Sequence, residues 1–367
     1  MQLKQVARDA LLKPLQAVAG IVERRHTLPI LANVLLEQKD GHLHVTATDL
    51  EMQITAVAEL AGKEGQSTTV GARKLQELLR ALPEEATINL DASGSRMTVR
   101  AGRSRFNLQT LAAADYPRIS LGQEQLQTLS LPQKDLRALI KLAEFAMAQQ
   151  DIRYYLNGML LVIDKASLEA VATDGHRLSW ARINVAGDYA RQEVILPRKT
   201  VLELSKLLGD VDAPVTLDIL ANQVRFRFGS VELVSKVVDG KFPDYNRVIP
   251  TGHSRMFEVP RSELLSALQR AAILSNEKFR GVRLVLAQDE LKIICTNTEQ
   301  EEAEEQLEVP YQGEGLDIGF NITYLLDVLQ NLGSERVRLA FGDANSSALL
   351  TMPGHDDYKY VVMPMRI

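Results

Sequence analysis

Val171-Ala172-Thr173-Asp174-Gly175-His176-Arg177-Leu178 reads as a strand that enters a tight turn at Thr-Asp-Gly and leaves it again. Two weaker copies exist, Val45-Thr46-Ala47-Thr48-Asp49-Leu50-Glu51-Met52 and Ile293-Ile294-Cys295-Thr296-Asn297-Thr298-Glu299-Gln300. Asp49 and Asp174 are 125 positions apart, and Asp174 and Asn297 are 123. Such even spacing predicts three copies of one unit, the middle one altered by Gly175-His176-Arg177.

The copies extend on both sides of that turn. Each opens with an amphipathic helix. The first covers residues 9–18, the second carries Leu136, Leu139, Ile140, Ala143 and Met147 behind a first-turn Pro132, and the third carries Leu264, Leu265, Leu268, Ala271 and Ala272 behind Pro260. Strands at 33–36, 158–161 and 281–284 follow. Second helices are expected near 72–79, 197–204 and 321–328, with Lys74 and Lys199 again 125 apart. Alternation at 224–228 predicts a further strand, and 96–105 reads as one basic strand. Polar stretches near 120–130 and 249–256 are the expected boundaries, giving domains 1–125, 126–253 and 254–367. The fold class is α+β, each domain pairing two helices with antiparallel sheets.

Composition narrows the function. With 367 residues, 46% of them apolar and 24% charged, the chain is an ordinary globular protein. No apolar run is long enough to span a bilayer, and Met1-Gln2-Leu3-Lys4-Gln5 does not open a signal peptide. A single cysteine, Cys295, cannot form an internal disulfide, which fits a cytoplasmic protein; its apolar neighbours make it a buried small residue. A net charge of −5 argues against a tight polyanion binder, so contact with nucleic acid requires local basic patches.

Such patches recur on helices. Lys134, Arg137 and Lys141 lie opposite an apolar stripe, and Arg73-Lys74 and Arg198-Lys199 open two equivalent helices. Cations at a helix start oppose its dipole, so their recurrence is not explained by helix stability. Few phosphate contacts mean weak, salt-sensitive, sequence-independent binding that permits sliding. The loop Gln149-Gln150-Asp151-Ile152-Arg153-Tyr154-Tyr155 adds amides, a cation and aromatics, and Arg24-Arg25-His26 is a similar basic loop. Asp174 and His176, two apart in a strand, would form an acid–base pair, yet no nucleophile, metal, Walker or dinucleotide motif accompanies them.

The chain resembles the bacterial replicative sliding clamps, the beta subunits of DNA polymerase III. The resemblance rests on 27–31, 48–52, 151–159, 172–178, 242–245, 273–283 and 360–366, in order along the whole sequence. It implies three like-folded domains and a head-to-tail homodimeric ring around duplex DNA. The ring tethers the replicative polymerase, is opened by a clamp loader, also serves repair polymerases, and has no catalytic activity, cofactor, metal or membrane partner. It implies DNA contacts at Arg25, Arg73, Lys74, Gln150, Tyr154, Tyr155, Arg198 and Lys199. It implies a groove for short apolar peptides formed by Leu156, Thr173, Gly175, His176, Arg177, Leu178, Pro243, Arg247, Val248, Phe279, Asn321, Tyr324, Ser347, Val361, Val362, Met363, Pro364, Met365 and Arg366. Leu178 and Val248 are expected to line its pocket, with Arg177 and Arg366 at the polar rim and the chain end as an edge strand. Arg103, Arg105, Phe106 and Leu108 on one surface, and Ile273, Leu274, Glu301 and Glu304 on another, are the expected dimer contacts. Two alternatives stay open: a peptide-binding repeat scaffold that never touches DNA, and an Asp/His hydrolase.

Overall fold

Strands run directly into helices throughout this chain. The computed structural model describes residues 1–22, 28–60 and 62–367. In it, α1 (Arg8–Ala19), α2 (Ala72–Ala81), α3 (Gln133–Ala143), α4 (Arg198–Leu207), α5 (Arg261–Ala271) and α6 (Ile322–Asn331) each start on the residue after a strand ends. Pro132, Pro197 and Pro260 are the last residues of three of those strands rather than members of the first helical turn. Proline lacks an N–H, so it closes a ladder as readily as it opens a helix. The stripe through Met147 is also not one helix, because α3 stops at Ala143 and a 3₁₀ turn, Glu144–Ala146, follows; Met147 is still buried.

Two compact units result, Met1–Lys134 with Leu202–Val237, and Asp135–Val201 with Val238–Ile367. The division falls within α3 and α4. In the first unit, Gln2–Ala7, Thr87–Ser93, Arg96–Ala101 and Ser104–Gln109 form a four-stranded antiparallel sheet in that order. The expected basic strand 96–105 is therefore a hairpin, turned at Gly102 with a φ of +55°. An eight-stranded sheet joins the first and second copies, because Met52–Ala58 pairs with Val231–Lys236 and Ser235 faces Met52. Leu11, Leu15 and Val18 of α1 and Leu75 and Leu79 of α2 are buried, as the 3.6-residue period requires.

The second unit repeats the scheme. A six-stranded sheet joins the second and third copies, because Arg177–Pro197 pairs with His355–Val362 and Val362 faces Arg177. The last strand is thus not an edge: Ala348–Met352 flanks it on the other side, which is why Val361 and Val362 are buried. A four-stranded sheet of Glu302–Glu308, Glu290–Thr296, Gly281–Ala287 and Leu316–Asn321 completes the unit. Each four-stranded sheet leaves one strand of interest at an edge, Ser104–Gln109 in the first unit and Glu302–Glu308 in the second.

Candidate functional site

The site is built from the turn that repeats. In the middle copy, Thr173 Oγ1 donates to the Arg177 carbonyl at 2.6 Å and accepts from Gly175 N at 3.1 Å. Asp174 Oδ1 accepts from His176 N at 2.9 Å and Arg177 N at 3.0 Å. In the first copy Thr48 and Asp49 make the same four bonds, to Met52 O, Leu50 N, Glu51 N and Met52 N. In the third, Asn297 Oδ1 accepts from Glu299 N and Glu301 N. Short polar side chains that bond their own backbone make the turn, which is why Thr-Asp or Thr-Asn marks it in sequence. Asp174 thus has Oδ1 on the backbone and Oδ2 on Arg177, which leaves it holding the turn rather than serving as an acid–base partner of His176, whose side chain is exposed.

Gly175 has a φ of +89°, where Leu50 of the first copy has +77°. In the middle copy a guanidinium also lies against this position: a Cβ at 175 would stand 2.9 Å from Arg153 Nη2. Arg153 is itself held by Asp151, through Nε at 3.0 Å and Nη2 at 2.8 Å, and this pairing pulls the Asp151 carboxyl down to about 2.

Arg177 is not at a rim. Its side chain is 10% exposed, between Asp174 Oδ2 at 3.1 Å and Asp327 Oδ2 at 2.6 Å. Nη2 donates to the Phe145 carbonyl at 2.6 Å, and the guanidinium lies 4.4 Å from the Tyr324 ring centroid. A buried cation needs such partners, and here they come from three different elements.

The chain end is tied to this turn. Met363 N donates to the His176 carbonyl and Met365 N to the Gly319 carbonyl, both at 2.8 Å. Ile367 packs so closely on Gly319 that a Cβ there would stand 2.6 Å from its Cδ1. Leu156, Leu178 and Val361 are buried in one cluster with Val171, Trp180, Phe242 and Tyr245, against which Tyr155 also packs. Leu178, expected to line an open pocket, is buried in this cluster, while Pro243, Arg247 and Val248, which follow Phe242, are exposed. Arg247 pairs with Asp244 at 2.9 Å. Met363 and Arg366 are exposed, and Pro364 and Met365 are half-buried. Asn321 Oδ1 caps α6 by accepting from Thr323 N at 2.9 Å, and Asn321 pairs with Gly281, two residues from the exposed Phe279. Ser347 precedes Ala348, which faces Val362.

The other expected residues are distributed more widely. Arg73 is exposed and paired with Glu77 at 2.7 Å. With Lys74, Asn33 and Leu108 it lines a cleft of about 360 Å³. Arg198 is half-buried, donates to the Met147 carbonyl at 3.2 Å, and has its pKa lowered by burial. Lys199 is half-buried. Gln150 and Tyr154 are exposed, whereas Tyr155 faces the apolar cluster. Arg25 lies outside the described residues. Ile273 is 78% exposed, Leu274 half-buried, and Glu301 and Glu304 exposed. Arg103 and Arg105 are exposed, with Phe106 and Leu108 half-buried. Cys295 is buried, and burial pushes its thiol up to about 11, far from a nucleophile's range. Sequence reasoning missed Asp327 and Phe145. The one available signal was an acid in α6 among Leu325, Leu326, Val328 and Leu329.

Comparison with known proteins agrees with this architecture. Residues 1–120, 130–244 and 246–366 match, in turn, the N-terminal, central and C-terminal domains of the DNA polymerase III beta subunit. The chain is 50% identical over 364 residues to the beta sliding clamp of Pseudomonas putida, covering 99% of each. The chain belongs to the DNA polymerase III beta subunit family, the beta sliding clamps. The beta sliding clamp of Escherichia coli K12 is 47% identical over 363 residues, again covering 99% of each chain. The crystal structure of the Pseudomonas aeruginosa DNA polymerase III subunit beta superimposes with a TM-score of 0.96, at 47% identity and full coverage of both chains. Another crystal structure, of a Pseudomonas aeruginosa sliding clamp bound to griselimycin, gives 0.95 with the same identity and coverage. As a family member the chain is a DNA sliding clamp of replication, a processivity factor of the polymerase rather than a catalyst. Among the described residues no helix is long and apolar enough to cross a membrane.

Proposed function

We propose that two copies of this chain close head to tail into a ring around duplex DNA. The observation that carries this is a pair of edge strands, Ser104–Gln109 and Glu302–Glu308, at equivalent places in the repeat. Inside the chain, a strand leaving the repeated turn is twice covered by the last strand of the next copy's sheet, at Met52 with Ser235 and at Arg177 with Val362. Glu302 stands 125 positions beyond Arg177, as Arg177 does beyond Met52, but among the described residues Glu302–Glu308 has no such neighbour. Ser104–Gln109 is the counterpart of Val231–Lys236, since Ala101 with Ser104 and Phe228 with Val231 close equivalent hairpins. Applying the internal register to a second copy sets Leu108 opposite the partner's Glu302 and Arg105 opposite the partner's Glu305. Basic and acidic edges then meet around apolar Phe106 and Ile273, a heterologous contact that closes after two subunits.

Domains 1–125, 126–253 and 254–367 supply the helices that face DNA. Arg25, Arg73, Lys74, Gln150, Tyr154, Arg198 and Lys199 touch phosphates weakly, and closure rather than affinity retains the DNA. Tyr155, which packs on the apolar cluster, contributes by holding the loop that carries Gln150 and Tyr154. The turn at His176, the Val248 segment, Phe279 and the tail 363–367 take short apolar peptides from the replicative polymerase, the clamp loader and repair polymerases, in the cytoplasm. Exposed Val248 and Met363, three and two residues beyond Tyr245 and Val361 of the buried apolar cluster, and the exposed Phe279 support that reading.

Light scattering on an Ile273→Ala/Leu274→Asp variant tests the ring. Wild type should have twice the 40.8 kDa chain mass and the variant once; an unchanged dimer would refute the edge assignment.

A further inference from the structure

We infer that Asp327 is a positioning residue for the peptide groove, acting through Arg177; the inference rests on the groove reading above. The first copy folds the same turn, with the same side-chain-to-backbone bonds, around a buried Met52 where the middle copy has Arg177. The turn therefore needs no cation to form. Yet the Arg177 side chain is largely covered and takes both an acid of its own turn, Asp174, and Asp327 from α6, 150 residues away.

What the cation adds is a set of fixed distances between elements that border the groove. Asp327 Oδ2 holds Nη1 at 2.6 Å, and Asp174 Oδ2 holds Nε at 3.1 Å. Asp174 Oδ1 in turn orients the His176 amide, and the His176 carbonyl holds Met363 N. Tyr324, one helical turn before Asp327, lies under the guanidinium, and its carbonyl accepts from Tyr360 Oη at 2.9 Å. Asp327 thus ties α6 to the turn and, through the turn, to the tail. Removing its charge leaves Arg177 with one carboxylate and a loosened link to α6, while every residue expected to touch peptide is retained.

The test measures binding of a fluorescein-labelled peptide from the C-terminus of a replicative polymerase, together with the thermal midpoint of each variant. Asp327→Asn should weaken the peptide about tenfold, a coupling of ordinary size for a positioning contact. Asp327→Glu, which can still reach the guanidinium, should recover most of that loss. Glu258→Gln, which removes an equally close partner of Arg338 at 2.7 Å on another strand of the same unit, should change nothing. A merely structural role predicts that affinity follows the thermal midpoint across all three variants. The inference requires lost affinity for Asp327→Asn at a midpoint matching that of Asp327→Glu. Unchanged affinity in Asp327→Asn overturns it. Deletion of 363–367 is the separating arm: if wild type binds and this deletion also binds, the groove reading fails first and the inference with it.

Discussion

Lys236 and Met363 occupy the same place in two copies of one repeat. Lys236 N donates to the Glu51 carbonyl at 2.9 Å, and Met363 N donates to the His176 carbonyl at 2.8 Å. The surroundings differ. At the first junction Lys236 Nζ pairs with Glu51 at 3.0 Å, sealing the turn with an ion pair. At the second, His176 and Met363 have exposed side chains beside a buried apolar cluster. The same backbone frame is closed by an ion pair in one copy and carries exposed His176 and Met363 side chains in the other.

The tail sets the limits of a useful deletion. Removing 363–367 loses the two backbone bonds to His176 and Gly319, about 0.5–1.5 kcal/mol each, and should leave a folded dimer that no longer binds peptide. Removing Val362 as well takes out a fully buried side chain, a further loss of about 1.5–3 kcal/mol. Thermal unfolding and calorimetry of the two truncations check this. Equal midpoints would contradict the placement of Val362 inside the sheet.

Gly175 is constrained twice, by its backbone and by Arg153. Gly175→Ala should cost about 1–2 kcal/mol for a left-handed residue, plus the displacement of a guanidinium 2.9 Å from the new Cβ. Gly175→Ala/Arg153→Ala should recover the second part but not the first. Denaturant midpoints of the two variants measure the difference, and identical midpoints would remove the steric argument.

In the proposed ring, the register extended from Met52 and Arg177 sets Arg105 against the partner's Glu305. Within one chain Glu305 is already held by Arg270 at 2.6 Å, which keeps its carboxyl below the ordinary range. Arg105→Glu should therefore weaken the dimer by like-charge repulsion, strongly at about 50 mM salt and much less near 500 mM, where screening is short-ranged. Sedimentation at both salts checks it; a salt-independent loss would point to lost packing instead.

The repeat was legible because its signals are local. A Thr-Asp pair bonding its own backbone, a 3.6-residue stripe in α5 and a period of two at 224–228 each depend on a few neighbouring residues. What sequence could not reveal is non-local. Arg177 looked like a surface cation because its partner Asp327 is 150 positions away, and the last strand looked like an edge because its cover, Ala348–Met352, is set by sheet order. The basic hairpin 96–109 read as one strand because Gly102 alone signals its turn. Arg73 and Arg198 were recognised as a recurring pair, but not that Glu77 and the Met147 carbonyl hold them.

The central claim is that DNA is held by closure of a ring and not by affinity. A chain of net charge −5, with Arg73 already paired to Glu77, offers few free phosphate contacts. The direct measurement is retention on DNA after loading by a clamp loader onto a nicked circular plasmid, followed by gel filtration before and after a single restriction cut. The account predicts that protein stays with the circle at physiological salt and is lost from the linear form. Equal retention on both would show that contacts, not topology, hold the DNA, and would contradict the ring.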